Sequence, residues 1–171
     1  QESQLAQILR SGELRFGTLH NSTGYFTDTN GISGFEYELA KEFADYLGVE
    51  LKIAPVFSLN ELFISLDTHK VDLIGAGITQ TDERREAYRF GPVYRHISER
   101  LVYRQGKTWP KNVKDINAPI VISNNSSHSE TLKNIEGIAA ISPQTFLFEY
   151  SGLIYGSTEY SADVIGVMPE F

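Results

Sequence analysis

Arg84 carries the sharpest chemistry in this sequence. It follows Gly75-Ala76-Gly77 and Thr79. A guanidinium fork beside a hydroxyl and an accessible glycine backbone would hold a carboxylate through two parallel hydrogen bonds. Thr81 reads as the N-cap of a helix through about Tyr88, with Asp82 and Glu83 near its positive end. That helix places Arg84 in its first turn, where the dipole disfavours a cation by roughly 0.3–1 kcal/mol. A cation there needs a partner, either a ligand or a neighbour such as Glu83, and spacing leaves both readings open. Two more segments, residues 20–26 and 123–127, are rich in small residues and hydroxyls that leave N–H groups accessible to an anion. Ser126 and Ser127 would offer hydroxyls to a ligand or cap the helix that follows. Tyr25 and Phe26 would wall the apolar part of a ligand or pack over the core.

Catalytic constellations are missing. His20, His69, His96 and His128 are scattered, with no metal-binding pair at helical spacing. The sequence has no cysteine, which excludes disulfides, thiolate metal sites and a Cys nucleophile. No Gly-x-Ser-x-Gly, P-loop or dinucleotide glycine fingerprint occurs. Glu36 and Glu38 read as a solvated helix flank rather than as a glycosidase pair. On residues alone this is an α/β binding module with no catalytic apparatus, no metal and no cofactor.

The elements that must position these groups follow from periodicity. Residues 4–10 read as a helix closed by Ser11-Gly12, and residues 14–18 as a buried strand. Residues 20–34, with three glycines among Asn and Asp, read as loop. Residues 36–47 predict a helix with Leu39, Phe43 and Leu47 four apart and Ala40 and Ala44 beside them, ended by a left-handed cap at Gly48. Residues 49–53 follow as a strand, 59–66 as an amphipathic helix and 71–74 as a third strand. This alternation predicts parallel β-α-β units, whose ligands bind beyond the carboxyl ends of the strands. The three polar segments stand at three such ends. Residues 97–103 alternate like a strand, residues 119–122 form another apolar run, residues 138–141 read as a strand, and residues 161–167 could begin a helix.

Length and charge bound the rest. With 171 residues, 41% hydrophobic and 22% charged, the chain suits one domain or two small lobes. No apolar run approaches the roughly 20 residues of a membrane span. Its net charge of −7 argues against a nucleic-acid partner. The first residue, Gln1, fits a processed or engineered start, and no leader peptide is visible.

Several fragments together carry a family resemblance. Residues 14–18 (LRFGT), 34–40 (GFEYELA), 46–49 (YLGV), 72–74 (DLI), 77–84 (GITQTDER) and 90–94 (FGPVY) resemble the amino-acid class, family 3, of periplasmic solute-binding proteins over about residues 10–135. Within it, residues 18–20 (TLH), 35–49, 91–94 and 101–106 (LVYRQG) leading to Pro110 are similar to the N-terminal module of membrane-bound lytic murein transglycosylases F. The resemblance implies two α/β lobes: residues 1–95, a crossover at 96–105, and a second lobe, 106–171, that is incomplete. It implies an inter-lobe ligand whose carboxylate is held by Arg84 with the Thr79 hydroxyl and the Gly77 backbone. Ser126 and Ser127 would complete that cradle, with Tyr25 against the ligand side chain.

Departures accompany it. Leu19 and His20 stand where amino-acid binders often have an acid, Asn125 stands where Gly is usual, and the second-lobe Asp for the ligand amine is not found. In transglycosylases F this module senses wall fragments and regulates a C-terminal lytic domain in cis. The Glu-Ser motif of that domain is absent here except for a chance dipeptide, Glu2-Ser3. The expectation is therefore a sensor fragment for a small amino acid or cell-wall peptide, in the periplasm, its parent attached to the outer membrane. The alternatives are a free-standing receptor of an amino-acid transporter and a dehydratase of the same shape using His20 or a cleft Glu.

Overall fold

The computed structural model describes residues 2–96, 115–116, 119–123, 125–135 and 141–144. They divide into two compact units, the first ending at Ile78 and the second starting at Thr79. Residues 97–105 of the expected crossover, and the element expected at 161–167, lie outside the described residues.

The first unit opens with α1 (Gln4–Ser11), capped by the Ser3 hydroxyl and ended by Gly12 at φ 72°, where the residue lacking a Cβ is least strained. Strand β1 (Glu13–Leu19) buries Leu14, Phe16 and Thr18 on one face and Leu19 at its end. Next come β2 (Phe26–Asp28) and β3 (Gly31–Ser33), then α2 (Phe35–Leu47), β4 (Glu50–Val56), α3 (Leu59–Asp67) and β5 (Leu73–Ile74). The main sheet runs β4-β1-β5 with both pairings parallel, Phe16 standing opposite Ile53 and Leu73. Helices α2 and α3 supply the two crossovers, as the alternation predicted. At Gly17 a Cβ would come within 3.1 Å of Leu62 and Ile74, so its absence lets α3 seat closely on β1.

One expectation changes here. Residues 20–34 are not all loop: β2 and β3 form an antiparallel hairpin, with Asp28 Oδ1 accepting the Asn30 N–H at 2.7 Å. The turn residues are Thr29 and Asn30, and Gly31, at φ 115°, pairs with Asp28 to start β3; Asn and Gly next to each other were the available signal for a tight turn. The structure also selects the inward face of α2, which the sequence left open. Ala40 and Ala44 are buried at 2% and 1% exposure, with Glu36 one turn earlier, whereas Leu39 and Phe43 are 43% and 40% exposed. Small side chains let the helix approach the sheet, and Ala44 packs with Ile8 and Leu14 against Leu47, Val49 and Leu51.

The second unit contains α4 (Asp82–Ala87), β6 (Ile120–Ser123), α5 (Ser127–Lys133) and β7 (Ile141–Gln144). Strands β6 and β7 pair in parallel across α5, a further β-α-β unit. Ile116, Ile120, Val121, Ile122 and Leu132 are buried there. The strand expected at 138–141 is described at Ile141, within β7, while residues 138–140 lie outside the described residues.

Candidate ligand-binding site

In the first unit the chemistry gathers beyond the carboxyl ends of β1 and β4. The His20 N–H donates to Val56 O at 2.8 Å, and His20 bridges to Tyr25. The exposed imidazole stacks on Phe57 at 5.2 Å between centroids, with ring planes 27° apart. Tyr25 meets His20 edge-on at 6.1 Å and Tyr37 edge-on at 5.8 Å. Asn21 orders the intervening turn: its Oδ1 accepts the N–H groups of Thr23 and Gly24 and the Thr23 hydroxyl. The result is an aromatic platform, with Phe57 53% exposed. Such a platform suits the apolar or cationic part of a small ligand. Phe26 belongs to β2 instead.

Phe57 and Tyr37 escaped the sequence reading. Phe57 stands directly after β4, at a carboxyl end, and that position was the signal that could have found it.

The loop after β5 is organised from inside. Gly77 takes φ 60°, and its N–H donates to Glu36 Oε1 at 2.8 Å. The Gly77 N–H therefore has a protein acceptor rather than standing open to an anion. Glu36, expected to be solvated, is only 4% exposed. The α2 register turns it inward above Ala40 and Ala44.

In the second unit the expected cap of α4 forms, with Thr81 Oγ1 accepting the Arg84 N–H at 3.2 Å. The half-buried Arg84 side chain does not simply pair with Glu83. Its Nη1 donates to Thr79 O at 3.0 Å and its Nη2 to Asn125 O, so two backbone carbonyls orient the fork. It is thus the Thr79 carbonyl that engages Arg84. Burial draws the Arg84 pKa below the usual guanidinium range, against the opposing charges of Glu130, Glu83 and Tyr88. Asn125 sits at φ 57°, a left-handed conformation that Gly takes freely and Asn tolerates better than most residues. Ser126 and Ser127 follow it and are buried. Ser126 occupies the N-cap position of α5 without a side-chain cap bond, and its Oγ has no hydrogen-bond partner among the described residues. Arg84, Thr79 and Asn125 thus form one hydrogen-bonded group, as His20 and Tyr25 form one aromatic group. Among the described residues no cluster of His, Cys, Asp or Glu could hold a metal ion.

This arrangement invites comparison with proteins of known kind. A membrane-bound lytic murein transglycosylase F of Pseudoalteromonas translucida is 45% identical over 80% of this chain and 29% of its own length. The transglycosylase F of Aeromonas salmonicida is 42% identical over 95% of this chain and 30% of its own. The chain thus spans less than a third of these relatives. Among solved structures, the arginine-bound form of a truncated ArgBP from T. maritima superposes with a TM-score of 0.73 at 28% identity, covering 96% of this chain and 76% of that one. The fold is that of the periplasmic amino-acid-binding proteins. Residues 14–147 match the family described as bacterial extracellular solute-binding proteins, family 3, and this chain belongs to that family.

Proposed function

We propose that this chain is the ligand-sensing module of a peptidoglycan lytic transglycosylase, binding a small carboxylate-bearing amino acid or cell-wall peptide between two lobes. The carrying observation is a solute-binding fold in a chain 42–45% identical to proteins named for murein cleavage. Arg84 takes the ligand carboxylate, with Thr79 and the hydroxyls of Ser126 and Ser127 beside it. The guanidinium has five donors, and its two carbonyl partners fix the plane of the fork. His20, Tyr25 and Phe57 receive the ligand side chain, and Gly77 shapes the adjoining backbone. Ligand binding biases a lytic domain carried in cis by shifting the module between open and closed states. The parent works in the periplasm, attached to the outer membrane.

Calorimetric titration with free L-amino acids and the cell-wall dipeptide D-Ala-D-Ala tests the binding. Arg84→Ala should weaken any carboxylate ligand by about 10- to 100-fold, the range for hydrogen bonds to a charged group. An unchanged affinity removes Arg84 from the site. A second reading, a free-standing receptor of an amino-acid transporter, is favoured by the likeness to an arginine-bound binding protein. The native reading frame separates the two: a helical domain with a Glu-Ser motif beyond these residues supports the sensor, and a stop codon soon after the lobes close supports the receptor.

A further inference from the structure

We infer that Glu36 is a positioning residue that sets the backbone of residues 75–77, an inference that rests on the ligand-binding reading above. The carboxylate lies in the first turn of α2, where the helix dipole favours a negative charge. Its Oε1 accepts the Gly77 N–H at 2.8 Å, and the residue is 4% exposed. The main chain beside it reaches the other loop of the same unit: the Glu36 N–H donates to Thr23 O at 3.0 Å and the Tyr37 N–H to Gly24 O at 3.1 Å. One turn of helix therefore ties the loop after β1 to the loop after β5, and Tyr37 carries that tie into the aromatic platform through Tyr25.

The two glycines show what the carboxylate does. At Gly75 a Cβ would fall 2.5 Å from Phe16 Cζ and 2.9 Å from Glu36 Oε2, so Glu36 is seated directly against the bare backbone. At Gly77 nothing lies within 4 Å of a Cβ position. Gly77 holds a left-handed φ of 60°, open to a residue without a Cβ, and the hydrogen bond from its N–H to Glu36 anchors it there. Glu36 thus acts on ligand affinity through backbone geometry, without touching the ligand.

Amide hydrogen exchange on the 171-residue chain, read at Gly77 against the core amide of Leu62 in the same sample, tests this. Glu36→Gln keeps an acceptor of the same reach but loses its charge, and should speed Gly77 exchange by less than about tenfold. Glu36→Asp keeps the charge but is shorter by one methylene. It and Glu36→Ala should speed Gly77 exchange by about tenfold or more while Leu62 holds. Should Glu36→Ala fail to fold, the Asp and Gln variants still decide the matter. Gly77 exchange unmoved in Glu36→Asp, or moved equally by Asp and Gln, overturns the inference. Titration of the same variants with free L-amino acids and D-Ala-D-Ala should show weaker binding in the Asp variant and near-parental binding in the Gln variant. Equal affinity in the two also overturns it. A parent chain that binds nothing in the panel refutes the ligand reading instead, and the exchange result still decides the role of Glu36.

Discussion

Arg84, Asp72 and Glu36 show how much the role of a charged side chain depends on what tertiary structure brings to it. Arg84 was visible in the sequence because its position opposes the helix dipole, yet its carbonyl partners, at Thr79 and Asn125, were not. Asp72 entered the sequence reading only as part of the family-like fragment 72–74, with no partner assigned. It accepts the Arg15 N–H and Nε at 2.9 and 3.0 Å and pairs with Nη2, while its own carbonyl accepts from Gln4 Nε2. Burial raises the Asp72 pKa, but the hydrogen bonds and charge of Arg15 outweigh it and hold the carboxyl below its ordinary range. A depressed carboxyl stabilises the fold above its unfolded pKa and loses that contribution as pH falls through its folded one. Urea midpoints of the parent and Asp72→Asn should therefore differ by about 1 kcal/mol near pH 7, a partly exposed pair being worth little more. The gap should close on acidification below the usual carboxylate range. A gap that widens toward acid would contradict the assignment.

At the scale of elements, punctuation was legible and faces were not. The Thr81 cap, the Gly12 and Gly48 ends and the parallel strand order all follow from local chemistry. The helical repeat of α2 was also plain, but the choice of its inward face was not. Leu39 and Phe43 satisfy the same period as Ala40 and Ala44, one residue out of phase, and only packing against β1 and β4 selects the smaller pair. Two substitutions test that choice in thermal or urea unfolding. Ala44→Leu should cost about 1–3 kcal/mol by overpacking. Leu39→Ala, on the more exposed face, should cost less than about 1 kcal/mol. Equal costs would mean that α2 is rotated. Gly17→Leu should be worse than either, because its Cβ alone would crowd Leu62 and Ile74 at 3.1 Å.

At the scale of the whole molecule, the relatives are more than three times as long as the matched segment, so a sensor reading makes its strongest prediction about the parent protein. If the module couples to murein cleavage, a peptide that binds it should change the rate at which the parent solubilises isolated murein. The same peptide should leave the isolated lytic domain unchanged. Coupling free energies of 1–3 kcal/mol correspond to about a 5- to 150-fold change in mutual affinity, which sets the scale for the binding half of that experiment. A rate indifferent to every bound peptide would leave a binding protein without a regulatory role.

The sequence by itself determined the class of fold, the order of parallel units, the helix ends and the family, because each is written in short-range patterns of caps, glycines and alternation. It also marked Arg84, Tyr25 and His20, whose residue types stand out at strand ends. Only the tertiary structure decided which way α2 faces, that Phe57 and Tyr37 join His20 and Tyr25, and that a Glu expected in solvent is buried against Gly75 and Gly77. The contact from Glu36 to Gly77 spans 41 residues of chain. Local propensity is blind at that separation: the partner of a side chain there is set by how the helices seat on the sheet, and no periodicity within either segment encodes it.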